Sequence, residues 1–73
     1  MSESNIWKLP EGVTMPQKYK QSLNKQQWFI TGAQDGFAGR DGYDETSLTM
    51  KQGVAAWEAY STGYKAGKEA RHE

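Results

Sequence analysis

Four carboxylates stand close together in the middle of the chain, and side-chain oxygens of this kind are the ligands that calcium prefers. They are Asp35, Asp41, Asp44 and Glu45. A calcium loop needs oxygen ligands at alternating positions and a glutamate at its twelfth position, and this spacing does not supply them. We therefore interpret the four residues as solvated charges of a turn and a helix start, where the helix dipole favours negative charge. Asp41 or Asp44 could also pair with a basic surface on a partner.

The chain offers little for acid–base or metal chemistry. Its single histidine, His72, lies next to the C-terminus, where side chains are usually solvated. There is no cysteine, so neither a disulfide nor a cysteine-based zinc site can form. The sequence therefore predicts a protein that is not an enzyme and that holds no metal or cofactor.

Basic residues recur at intervals of three near the C-terminus. Lys65, Lys68 and Arg71 would form a stripe that can touch phosphate, or a solvated face where cations are favoured by a helix C-terminus. Over the whole chain, nine basic residues balance nine acidic ones. Because nucleic-acid binders draw most of their affinity from a basic excess, this balance argues against a general grip on polyanions.

Length and composition restrict the class of protein. The chain has 73 residues, enough for one domain, and 12% of them are aromatic. Large rings suit a small core and also suit a binding face. The first residues lack the basic start and apolar run of a signal peptide, and no window has the apolar length of a membrane span. We expect a soluble, cytoplasmic protein.

Caps and apolar spacing predict an all-α fold over residues 1–73. We expect an irregular arm over 1–13, a short helix over 14–23, helices over 24–39 and 49–71, and an acidic turn over 40–48. The predicted N-caps, each followed three residues later by a glutamine, are Thr14, Asn24 and Thr49. Gly39 or Gly42 would end the first long helix in a left-handed conformation. The short connection predicts that the two long helices form an antiparallel hairpin.

The two long helices contain the same phrase. TGAQDGFAGR begins at Thr31 and TGYKAGKEAR begins at Thr62. At an offset of 31 they match at Thr31/Thr62, Gly32/Gly63, Gly36/Gly67 and Arg40/Arg71. A glycine inside a helix costs about 1 kcal/mol relative to alanine, and four of them share these faces: Gly32, Gly36, Gly63 and Gly67. Such a penalty usually has a packing reason. We predict that the two glycine faces pack on each other; alternatively, one or both face a second copy or a foreign helix.

A glycine-spaced phrase ending in arginine closes the first long helix, at Gly32, Gly36, Gly39 and Arg40. The second long helix carries a tryptophan and a glycine–tyrosine pair, at Trp57, Gly63 and Tyr64. Over about residues 28–71 these features resemble the ribosome modulation factor family. The resemblance implies a two-helix protein that binds small-subunit ribosomal RNA and silences idle ribosomes.

For function we expect a non-enzymatic protein that binds and modulates or inhibits a larger protein complex. Compact, neutral chains of this kind are common among bacterial and bacteriophage accessory proteins. The alternative is a ribosome-associated regulator that binds ribosomal RNA; neither role involves a membrane, and a homodimer is a further option. Aromatic and basic residues left exposed by the helices would contact the partner, and the candidates are Trp7, Arg40, Tyr43, Tyr64, Lys65, Lys68 and Arg71.

Overall fold

The structure is a computed structural model that describes residues 9–71, and these residues form helices and turns without a strand. Helix α1 spans Leu23–Ala38, α2 spans Glu45–Gln52 and α3 spans Val54–Arg71. A short 3-10 turn, Gln17–Tyr19, precedes α1. The predicted all-α fold with a pair of long packed helices is confirmed. None of the helices within residues 9–71 combines the length and the apolarity that a membrane crossing requires.

The N-terminal part of the chain is less helical than predicted. Residues 1–8 of the expected arm lie outside the described residues, and residues 9–13 contain a turn in which the Val13 amide donates to the Pro10 carbonyl at 3.1 Å. The helix expected over 14–23 is reduced to the 3-10 turn, and Pro16, not Thr14, occupies its N-cap without a side-chain bond. The turn lets Tyr19 point inward, where it is buried.

Helix α1 is capped at both ends by its own sequence. The Ser22 side chain accepts from the Lys25 amide at 3.3 Å, so the cap lies two residues before the predicted Asn24. At the other end, Gly39 has a φ of 80° and its amide donates to the carbonyls of Asp35 and Gly36. This left-handed C-cap is the one expected of a glycine and confirms the predicted end of α1.

The helix predicted over 49–71 is divided in two. Asp44 caps α2, because its carboxylate accepts from the Ser47 amide at 3.0 Å, and Thr49 therefore lies inside the helix. Gly53 then takes a φ of 100° and a ψ of 164°, which breaks the helix before Val54. Residues other than glycine rarely adopt such a φ, so Gly53 permits the change of direction between α2 and α3.

The long helices α1 and α3 pack side by side through their glycines, as predicted. A Cβ added to Gly32 would overlap the carbonyl oxygen of Tyr60, and one added to Gly36 would overlap that of Tyr64. Moving one turn along α1, from Gly32 to Gly36, moves the contact one turn along α3 in the same sense. The two helices therefore run parallel. The antiparallel orientation expected from the sequence is therefore wrong. Residues 39–53, including α2, return the chain to the starting end of α1.

The packing explains why the phrase is repeated. Gly63 and Gly67 face the carbonyl oxygens of Phe29 and Ala33, which are the positions equivalent to Tyr60 and Tyr64 at the repeat's offset of 31. Each helix therefore presents the same surface to the other, about a pseudo-two-fold axis that runs along the pair. Small residues let two helix backbones approach closely, and in this pair both helices supply glycines at the same register.

The pseudo-two-fold axis relates two faces of the helix pair, which are formed by equivalent positions of α1 and α3. On the first, which we call the closed face, Val13 and Tyr19 cover Phe29, Ala33 and Ala59 to form the main core. On the second, which we call the open face, the positions of Phe29 and Ala33 are taken by Tyr60 and Tyr64. Of the residues that the structure describes, only the short segment 40–43 crosses the open face.

Candidate binding cleft

A buried tyrosine organises the open face. Tyr60 is 1% exposed, and its hydroxyl donates to Asp35 Oδ2 at 2.8 Å while it accepts from the Tyr43 amide at 2.9 Å. The other oxygen of Asp35, Oδ1, accepts from Arg40 Nε and Nη2, both at 3.0 Å. The carboxylate is thus shared between a tyrosine of α3 and an arginine just beyond α1, and it ties the two helices together.

This network has a defined protonation state. Burial, and after it the hydrogen bond to Asp35, raises the pKa of the Tyr60 phenol well above its ordinary value of 10.0. The bond from the Tyr43 amide acts in the opposite direction. Tyr60 is therefore neutral at physiological pH and can donate to the carboxylate. Our interpretation of Asp35 as a solvated charge is wrong: the residue is 9% exposed, because it faces Tyr60 across the helix contact.

Two tyrosine hydroxyls hold residues 40–43 against α3. The Tyr64 hydroxyl donates to the carbonyl of Arg40, and the Tyr60 hydroxyl accepts from the amide of Tyr43. Between them the chain passes directly over the Tyr60 hydroxyl at Gly42, which has a φ of 74° and no room for a Cβ. The segment therefore has a fixed path and forms one wall of a cleft.

The cleft lies between residues 40–43 and the outer face of α3, and its volume is about 520 Å³. Its aromatic lining is Tyr43, Trp57, Tyr60 and Tyr64. Its polar lining is Asp41, Ser61, Lys65, Lys68 and Glu69. The site therefore combines a large apolar contact area with charges of both signs.

The aromatic rings form a floor and a wall. Tyr60 lies 6.0 Å from Trp57 and 6.1 Å from Tyr64, with ring planes tilted by 35° and 43°. Tyr43 stands against this row edge-on, 5.3 Å from Tyr60 and at 84° to it. Contacts of this kind favour a fixed ring arrangement, so the cleft has its shape before any partner arrives.

A smaller hollow lies on the other side of Tyr43. It has a volume of about 320 Å³ and is lined mainly by polar side chains, from Asn24, Gln27, Trp28, Thr31, Tyr43 and Gln52. Tyr43 packs edge-on against Trp28 at 5.4 Å and is 50% exposed. The ring of Tyr43 thus separates two hollows, and the larger of them holds the charges.

The charged groups at the rim of the cleft are exposed. Lys65, Lys68 and Glu69 project from α3 and Asp41 lies in residues 40–43, and all four are exposed. Within residues 9–71 the structure shows one ion pair, between Arg40 and Asp35. The rim charges therefore have no ion-pair partner among the described residues, and their signs cancel.

The structure brings together four of the seven residues predicted to contact a partner. Tyr43, Tyr64, Lys65 and Lys68 all line the cleft. Arg40 is at its edge, with a side chain that is 60% exposed although its guanidinium is paired with Asp35. Arg71 lies at the end of α3 beside Gly39, away from the lining residues, and Trp7 falls outside the described residues. The role of these side chains in partner contact stays a prediction.

Sequence reasoning missed part of the lining. It did not select Trp57, Ser61 or Glu69 as site residues, although Trp57, Ser61 and Tyr64 recur at helical spacing and so share a face. Asp41 was interpreted as a turn charge that could also pair with a basic surface on a partner, without being placed among the candidate residues. Lys65 and Lys68 extend the same face, so helical spacing is the signal that could have identified the whole row.

No family model, curated protein or solved structure matches this chain. The cleft and the network that supports it are therefore the basis for the function.

Proposed function

We propose that the protein is a non-enzymatic binding protein that modulates or inhibits a larger protein complex through the α3 cleft. The observation that carries the proposal is the meeting of accessible aromatic rings and four charges in one cleft of about 520 Å³, where the charges have no ion-pair partner among residues 9–71. A few residues, among which Trp, Tyr and Arg are enriched, supply most of the binding energy in protein interfaces, and complementary charges contribute specificity. We propose a cytoplasmic location for this role.

The shape of the cleft is fixed by hydrogen bonds and ring contacts, and a fixed shape favours a role in binding. Its wall, residues 40–43, is held by bonds to Tyr60 and Tyr64, and its floor is a fully buried ring. A surface that is already ordered loses little conformational entropy when a partner binds. A chain of 73 residues can in this way present a small but well-defined recognition surface.

The charges favour a protein partner over a nucleic acid. Lys65 and Lys68 are offset by Asp41 and Glu69 within the same cleft, and the whole chain has a formal net charge of zero. A phosphate backbone beside the two carboxylates would be repelled. Protein surfaces carry charges of both signs and can match such a mixed rim.

Association with ribosomal RNA is a second candidate. The exposed cations Lys65, Lys68 and Arg71 follow the aromatic rings along α3, and proteins that bind single strands combine stacking rings with cations. The resemblance of residues 28–71 to the ribosome modulation factor family supports the same candidate. This role predicts an association that weakens steeply as salt is raised.

The experiment that tests the proposal is gradient fractionation of a tagged copy in a bacterial lysate at low and high salt. We expect the wild-type protein to migrate with one defined protein complex at both salt concentrations. The double variant Lys65→Glu, Lys68→Glu should lose that association. The variant Lys51→Glu is the matched control, because Lys51 is an exposed lysine of α2 outside the cleft.

Other outcomes contradict the proposal. Migration with ribosomal particles at low salt only would replace it with the second candidate. Migration of the wild-type protein alone, or equal association of both charge variants, would show that the cleft does not recruit a protein complex.

A further inference from the structure

We propose that the α3 cleft receives a short non-helical segment of the partner polypeptide, anchored by one aromatic or large aliphatic side chain. The inference rests on the proposed function and specifies the form of the partner. It is carried by a comparison within the molecule, because the closed face already holds a non-α-helical segment of the chain on the equivalent positions.

The closed face shows how this helix pair holds a segment of chain that is not α-helical. The non-helical residues around Val13 and the turn at Tyr19 lie across Phe29 and Ala33. Tyr19 serves as the anchor: its ring lies 5.6 Å from the ring of Phe29, and its hydroxyl donates to Thr62 Oγ1 at 3.4 Å. One buried ring and one hydrogen bond to the opposite helix therefore fix the segment.

The open face is built from the equivalent helix positions, but the segment that crosses it, residues 40–43, is much shorter. Tyr60 and Tyr64, the equivalents of Phe29 and Ala33, both line the cleft. Tyr43 occupies the place that corresponds to Tyr19, 5.3 Å from the Tyr60 ring. Tyr19 is 4% exposed, however, while Tyr43 is 50% exposed. The surface that a longer segment covers on the closed face is left here as the cleft.

The lining determines the chemistry of the segment. The half-buried ring of Trp57 and the exposed ring of Tyr43 flank a floor made by Tyr60, and this favours an apolar or aromatic anchor. Lys65 and Lys68 would meet acidic side chains beside the anchor, and Asp41 and Glu69 would meet basic ones. A polypeptide can carry both signs within a few residues, whereas a phosphate backbone carries one.

The test uses two probes in parallel: a displayed library of random peptides of about twelve residues, long enough to span such a cleft, and a pool of random single-stranded RNA. Each is selected against the immobilised full-length protein. We expect peptides to be enriched that share an aromatic or large aliphatic residue flanked by charges, and we expect no enrichment of RNA.

Variants locate the binding site of any enriched peptide. Trp57→Ala should weaken binding about tenfold or more, as is usual for an aromatic interface residue, and so should Lys65→Glu combined with Lys68→Glu. The second variant changes exposed side chains only, so it reports on the site even where Trp57→Ala lowers stability. Met50→Ala and Lys51→Glu, exposed positions on α2, should leave the affinity unchanged.

Three results would overturn the inference. They are the absence of enriched peptides, peptides whose binding is the same in the cleft variants and in the α2 controls, and enrichment of RNA that depends on the cleft. These failures are distinct from failure of the proposed function. A salt-resistant complex that depends on the cleft lysines in the gradient, together with no peptide enrichment, would mean that the partner presents a folded surface.

Discussion

The closed and open faces of the helix pair have equivalent backbone positions but differ in the polarity of their side chains. On the closed face Phe29 packs under Tyr19 in an apolar core. On the open face its equivalent, Tyr60, adds a hydroxyl, and Asp35 stands where the closed face has Ala66. The repeated glycines determine how the helices meet, and the side chains beside them decide which face becomes core and which becomes a site.

The two faces are stabilised by different interactions. Burial of apolar area stabilises the closed face roughly in proportion to the area removed from water. The open face depends on hydrogen bonds, each worth about 1 kcal/mol net but costly when one buried partner is left unpaired. The comparison therefore predicts different responses to mutation on the two faces, and a shared response at the glycines.

The largest effect is expected at the glycines that both faces share. Gly32→Ala and Gly63→Ala are equivalent by the pseudo-two-fold axis, and each places a methyl group on a backbone carbonyl of the other helix. Overpacking against backbone should lower the free energy of unfolding by about 3 kcal/mol or more, which exceeds the gain of about 1 kcal/mol in helix propensity. Urea denaturation followed by circular dichroism measures the loss.

Glu58→Ala, at an exposed position of α3, is the control and should change stability by about 0.5 kcal/mol or less. If Gly63→Ala is as stable as the parent while Gly32→Ala is not, the two helices do not present equivalent surfaces and the pseudo-two-fold packing is wrong.

Next in size is the contrast between the two covering tyrosines. Tyr19→Ala empties a buried site and should cost about 3 kcal/mol or more. Tyr43→Ala removes a ring that is 50% exposed and should cost about 1 kcal/mol, because less area returns to water. Equal losses in the same denaturation assay would show that the open face is core like the closed one.

A smaller effect is expected when the Tyr60 hydroxyl is removed. Tyr60→Phe keeps the ring and leaves Asp35 Oδ2 and the Tyr43 amide without their partner. The loss should be about 1–2 kcal/mol. Phe29 is the natural reference, since it fills the equivalent position on the closed face with no hydroxyl at all. A Tyr60→Phe protein with unchanged stability would show that the network does not support the open face.

The same hydroxyl predicts a dependence on alkaline pH. The pKa of Tyr60 is raised in the folded state, so above pH of about 10 the unfolded chain loses this proton first. The stabilisation is complete below that pH and is lost as pH rises, by at most about 1.4 kcal/mol per pH unit. The free energy of unfolding of the wild-type protein should therefore fall faster above pH 10 than that of Tyr60→Phe, and parallel curves would contradict the assignment.

The smallest effect concerns the other tether of residues 40–43. Tyr64→Phe removes the bond to the Arg40 carbonyl and should cost about 0.5–1 kcal/mol. Its clearer consequence is local: the Tyr43 amide should exchange faster with solvent, because the segment that carries it opens more often. Amide hydrogen exchange measures this, and an unchanged rate at Tyr43 would mean that the Tyr60 hydroxyl alone holds the segment.

Much of the helix pair could be predicted from the sequence, because the features that define it are local. The glycine spacing and the repeat indicated two glycine faces in contact, and Gly39 indicated the end of α1. The direction of the pair could not be predicted in the same way. A turn of residues 40–48 favoured a reversal, and only the tertiary structure shows that α2 carries the chain back before Gly53.

The cleft was only partly predictable for a related reason. The row of Trp57, Tyr64, Lys65 and Lys68 on one helix face follows from helical spacing. The burial of Asp35 does not follow from its neighbours, because it depends on Tyr60, which is remote in sequence and is brought near by the parallel register. Asp41 enters the lining for the same reason, through the path of residues 40–43.

The central claim is that α1 and α3 form a parallel pair, since the two equivalent faces and the cleft depend on it. It can be tested by electron paramagnetic resonance, with spin labels on cysteines introduced into this cysteine-free chain. One pair of labels joins Ala38 to Arg71, and the control pair joins Leu23 to Arg71; all three positions are exposed. Packed helices lie about 10 Å apart, so we predict a backbone separation of about 10 Å for the first pair. The second pair is separated by about 25 Å along the helix axis. The reverse order of distances would mean an antiparallel pair and would contradict the account.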